Sequence, residues 1–178
     1  MKQARTLALT MLALWPVCGT AADSGSLEGA IKATFLSRFA GFVQWPAGSA
    51  ENGPFVLCAV GDDAVTALMD RAAAGQRAQR RPIVVRHLQQ VSPADGCNTA
   101  YLAGSAVQSA GAAAAALRGS AVLTVTDGEN HPDVPAVIKF VIADGRVRFD
   151  VDDAEAAGAH LVISSRLLDL ARNVRKRP

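Results

Sequence analysis

The chain has 178 residues, 50% of them hydrophobic and 19% charged, with 18 Lys and Arg against 16 Asp and Glu. That length suits one ordinary domain, and the hydrophobic content excludes an intrinsically disordered chain. Two of the bases, Lys2 and Arg5, stand at the start, so the remainder is charge-balanced, which argues against a general affinity for nucleic acid or anionic lipid.

After Lys2 and Arg5 comes an apolar run over residues 7–17 and then the small residues Gly19, Thr20, Ala21 and Ala22. This order predicts a secretory signal peptide over 1–22, cleaved before Ala22 or Asp23. The run falls short of the ~20 residues that span a bilayer. Lipidation at Cys18 is set aside because Trp15, Pro16 and Val17 precede it where a small residue is needed. A single domain is expected over 23–178. Removing Cys18 leaves Cys58 and Cys97, an even pair in an oxidising compartment, which predicts a disulfide; two buried free thiols are the alternative. No close ligand spacing links these cysteines with His87, His131 and His160, so no metal or other cofactor is expected.

Along the predicted domain, Leu27, Ile31, Phe35, Phe39 and Phe42 recur at helical spacing, predicting an amphipathic helix over 27–45 with its stripe in the core. The apolar run 55–60 reads as a central strand, and Asp62 or Asp63 as the cap of a helix through Val65, Leu68 and Met69. Residues 76–81 read as loop. Strands follow at 83–88 and 99–103, then an alanine-rich helix from Gly104 to about Leu117, then a strand at 121–125. Residues 137–142 and 146–151 flank Asp144-Gly145 as a hairpin. Asp152 and Asp153, and then Ser164 and Ser165, suit the starts of two short helices. The basic residues Arg172, Arg175, Lys176 and Arg177 read as a frayed, solvated tail, the alternative being a phosphate- or lipid-binding one. Together these elements predict an α/β fold: a mixed, mainly parallel sheet with helices on both faces in a three-layer sandwich, ending in a β-hairpin and a helix.

No catalytic constellation emerges. Gly61-Asp62 is not followed by a glycine-rich phosphate loop, and Ser164 and Ser165 near His160 lack a nucleophile elbow or a Ser-x-x-Lys pattern. Asp150, Asp152 and Asp153 lack the spacing of a calcium loop and are better used in backbone hydrogen bonds. The chain is therefore expected not to be an enzyme.

Four stretches together resemble the YfiR-like family of periplasmic regulators: IKATFLSRFAGFVQWP at 31–46, FVLCAVGD at 55–62, Gly96-Cys97, and the closing series Ile138-Lys139-Phe140, VRFDV at 147–151 and SSRLLDLA at 164–171. The resemblance implies an α/β sandwich in the periplasm that represses a membrane-bound diguanylate cyclase by binding its periplasmic sensor part, and so lowers cyclic-di-GMP and biofilm output. It implies a tendency to dimerise, and it matches the family's cysteine pair to Cys58 and Cys97. The candidate contact residues are Phe149, Arg166 and Asp169, on the hairpin and the final helix. The chain departs from the family pattern in having Val134-Pro135-Ala136 where a Gly-Gly is usual, Asp152 where an Asn is usual, and no second cysteine pair. The competing expectation is a small-ligand binder using the cleft where the loops after Val60, Ala103 and Val125 converge.

Overall fold

The computed structural model describes residues 22–48 and 53–177, with side chains from Leu27 onward, so the expected leader lies, but for Ala22, outside the described residues. The first helix, α1, spans Ala22–Phe39 and runs through a short 3-10 turn into the two-residue strand β1, Val43–Gln44. The helix expected to reach Trp45 thus stops at Phe39. Strand geometry suits the β-branched Val43, and β1 pairs antiparallel with β9, Val162–Ile163.

The main sheet is built from β2 (Phe55–Gly61), β3 (Arg77–Ala78), β4 (Arg81–Leu88), β5 (Thr99–Gly104), β6 (Leu123–Asp127), β7 (Ile138–Ala143), β8 (Arg146–Asp152) and β10 (Val174–Arg175). Their order across the sheet is β10-β8-β7-β6-β5-β2-β4-β3. Strands β4, β2, β5, β6 and β7 run parallel, β8 returns antiparallel to β7, and β3 is antiparallel to β4. From β2 the chain moves first to β4 on one side and then to β5 on the other, a reversal of winding direction at the β2–β5 seam.

Four helices lie on one face: α1, α2 (Thr66–Ala73), α4 (Asp153–Gly158) and α5 (Ser165–Leu170). Their buried side chains meet Leu57, Ala59, Tyr101, Val125, Ile138 and Phe140 in the larger core. The other face carries α3 (Ala110–Ala116), whose Ala110, Ala113 and Ala114 pack on Val60, Ala100 and Leu102. This is the expected three-layer arrangement. The alternating pleat of β2 sends Leu57 and Ala59 to the first core and Cys58 to the second, where it is bonded to Cys97 across 39 residues of chain.

Local chemistry explains the element ends. Asp63 Oδ1 accepts from the amides of Val65 and Thr66 ahead of α2, Asp152 Oδ1 from Glu155 at α4, and Ser164 Oγ from Leu167 at α5. Ser109, rather than Gly104 or Ser105, caps α3. Ser105 instead accepts from the amides of Val107 and Gln108 in a preceding turn. The two-residue turn of the β7–β8 hairpin places Asp144 at φ 51° and Gly145 at φ 66°, the left-handed pair that such hairpins require.

Two further expectations do not hold. Residues 76–81 are not loop: β3 and β4 form a tight hairpin whose turn residues Gln79 and Arg80 both have positive φ. The C-terminal tail is not frayed: β10 pairs with the outer edge of β8, and Arg172, Arg175 and Arg177 pair with Asp150, Asp152 and Asp153. The acidic group and the basic cluster, separate in the sequence, neutralise one another along one edge of the sheet.

Candidate partner-binding site

The stripe expected to lie in the core is buried only toward its end. Phe39 is 1% exposed, whereas Leu27 is 63% and Ile31 37% exposed. The cause is the close approach of α1 to the start of α2: a Cβ on Gly29 would lie 3.3 Å from the carbonyl oxygen of Ala64. That approach turns Gly29, Lys32, Ala33 and Leu36 inward and rotates Leu27 and Ile31 outward. The result is a groove of about 450 Å³ between α1 and the β7–β8 hairpin, floored by Leu27, Ile31, Phe35, Ile142 and Val147 and continuing along α1 past Thr34 to Arg38.

Beneath the groove lies a buried ionic cluster. Lys32, 1% exposed, extends its ammonium to Asp127 Oδ2 at 2.7 Å and to Glu28 Oε1 at 2.5 Å. Asp127, at the end of β6, also accepts from the Asn130 side chain and the Glu129 amide. Burial works to lower the Lys32 pKa, but the hydrogen bonds and charges of Asp127 and Glu28 together raise it above its ordinary 10.5. Next to this cluster Tyr101 donates to Asp63 Oδ2 at 2.9 Å; burial, then the Asp63 charge and hydrogen bond, push its phenol well above the usual range. Sequence reasoning passed over Lys32, although its position four residues before Leu36 sets it in the buried row of the helix.

The carboxyl ends of the parallel strands, where the competing ligand-binder reading puts its cleft, are sewn together by the chain itself. A Cβ on Gly61 would lie 1.9 Å from the carbonyl oxygen of Gly104, so the two strand ends touch backbone to backbone, with both glycines at positive φ. Around this contact Gln89 donates to Asp62, Ser105 donates to the Gln89 carbonyl, and Gln108 bonds both the amide and the carbonyl of Val91.

The three residues nominated for partner contact are not brought together by burial. Arg166 and Asp169 are exposed on α5. Phe149 is 4% exposed in the core, its ring 5.2 Å from Phe39 and 5.7 Å from Phe35. Its route to the surface is through Phe35, which lines the groove. Among the described residues no group of three or more His, Cys, Asp or Glu is placed to hold a metal, and no helix is long and apolar enough to cross a membrane.

A family model described as YfiR/HmsC-like matches residues 29–172, from the first helix through the arginine that joins the last strand. The chain belongs to the YfiR/HmsC-like family. No curated protein matches it. At the level of the family, membership means periplasmic regulation of diguanylate cyclase signalling, and the family is a regulatory rather than a catalytic one. Every described element from α2 to α5 lies within the match, as do the α1 groove residues from Ile31 on and the whole hairpin.

Proposed function

We propose that this chain is a periplasmic repressor that binds the periplasmic sensor part of a membrane-bound diguanylate cyclase and holds it in an inactive state. The family match over residues 29–172 carries this reading. The arrangement of the fold supports it. The buried Lys32 is engaged by Glu28 and Asp127 within the molecule, while an apolar groove is left open on the outside. Such a chain acts by differential binding: it lowers cyclase output by as much as it prefers the inactive form of its partner.

Small-ligand binding at the strand ends has less support, because the Gly61–Gly104 contact and the side chains around it occupy the seam that such a ligand would use. The test is genetic and biochemical. Deleting the gene is expected to raise cyclic-di-GMP, re-supplied exported protein to lower it, and the tagged protein to co-purify with a cyclase from membranes. Unchanged cyclic-di-GMP in the deletion, together with no captured cyclase, would overturn the reading.

A further inference from the structure

We infer that the groove between α1 and the β7–β8 hairpin is the docking surface of this repressor, and that it receives an amphipathic helix with acidic flanks from the cyclase's periplasmic part. The inference rests on the proposed function and adds the surface and the chemistry of the partner. The floor is apolar and the rim is basic: Arg146 borders the groove on the hairpin side and Arg38 at its far end on α1. Neither guanidinium makes an ion pair or hydrogen bond with another described residue, unlike Arg172, Arg175 and Arg177. The one carboxylate in the lining, Glu28, is tied down by its ion pair with Lys32, which it shares with Asp127.

The shape selects among occupants. From Leu27 to Arg38 the groove follows α1 for ~16 Å, the length of about three helical turns. A helix laid there presents apolar residues at i, i+3/i+4 and i+7 to the floor and carboxylates to the two arginines. A strand finds little edge to pair with, because β7 and β8 bond to each other and residues 172–175 cover the outer edge of β8 from Phe149 to Asp152. In a twofold dimer through this patch the same surface would face itself, opposing arginines with arginines.

The experiment uses the exported full chain against membranes that contain the cyclase. Arg38→Glu with Arg146→Glu is compared with Arg71→Glu with Arg118→Glu, which makes the same charge change at exposed positions elsewhere. The groove pair is expected to weaken capture at least tenfold while the control pair binds as wild type, both with unchanged circular dichroism and urea midpoint. A photo-crosslinking residue at position 31 is expected to join an acidic helical segment of the cyclase. If the wild type captures the cyclase, and the groove pair binds equally well with no adduct from position 31, the docking surface is overturned and the repressor reading stands. If the wild type captures no cyclase, both fall. An adduct to a second copy of the chain, or flotation with phosphatidylglycerol vesicles that the groove pair abolishes, assigns the groove to another occupant and overturns the inference.

Discussion

Lys32 and Tyr101 are the two side chains whose surroundings most constrain their chemistry, and both hold a proton more tightly in the folded state than in the unfolded one. A group that binds its proton more tightly when folded stabilises the fold below its unfolded pKa, and that contribution is lost as pH rises toward its folded pKa. Both contributions are therefore complete at neutral pH and fade only in alkali, above the ordinary values of 10.0 for tyrosine and 10.5 for lysine. The chain has a single tyrosine, so phenolate absorbance near 295 nm reports Tyr101 alone. We expect that absorbance to rise only together with loss of the circular dichroism signal; a separate ionisation with an ordinary midpoint in a folded chain would refute the buried Tyr101–Asp63 bond. Replacing Lys32 strands Asp127 without its cation. Lys32→Ala is expected to lower unfolding free energy by about 3–5 kcal/mol, against about 1 kcal/mol or less for Glu28→Gln, whose partner keeps Asp127. Equal losses in urea titrations would show that the buried pair is not what anchors α1.

Among the elements, β10 shows how little apolar contact a strand needs when charge and backbone pairing act together. It contributes Val174 and Arg175 to the ladder, the Val151 amide donates to the Asn173 carbonyl and the Arg172 amide to that of Phe149, and four arginine–carboxylate pairs lie in and beside it. Those pairs are largely solvated, so added salt weakens them. Truncation after Ala171 is expected to speed hydrogen exchange in the peptide spanning 146–152 and to promote self-association through the uncovered edge of β8. Unchanged exchange there would mean that the strap contributes nothing to the edge. This strap also marks where sequence reading stopped. The long strands were legible because 55–60, 83–88 and 146–151 are sustained apolar or alternating runs, and the Asp144-Gly145 turn because its residues favour left-handed geometry. Strands β1, β9 and β10 were not, since two residues carry no period. The β3–β4 turn escaped because Gln79 and Arg80 take positive φ without the usual glycine or asparagine. The candidate groove escaped because the repeat of Leu27, Ile31 and Phe35 gives the spacing of a stripe but not the rotation of its helix. That rotation follows from Gly29 meeting Ala64, a contact between elements.

For the whole molecule, the disulfide is the one covalent cross-link among the described residues, joining β2 to the loop that precedes β5, and it lies in the smaller core under α3 rather than beside the groove. Closing a loop of 39 residues stabilises the fold by about 4 kcal/mol on the chain-entropy model. Cys58→Ala with Cys97→Ala is expected to lower the unfolding free energy in urea titrations by that order while leaving capture of a partner by the folded fraction unchanged. A loss of capture without loss of stability would place the smaller core in the recognition surface.

The long reach between α1 and its partners also sets an order of events. Lys32 and Asp127 are 95 residues apart, and Phe149 lies further on still. A chain made from its amino end therefore produces α1 well before the strands that will cover it, and closing so long a separation is slow. Until the hairpin arrives, both the row that ends in the core and the row that ends in the groove are bare, and the nascent molecule is at its stickiest. A holding chaperone that recognises short apolar helical segments should bind the residue 27–39 segment during this interval and release it once β8 has paired.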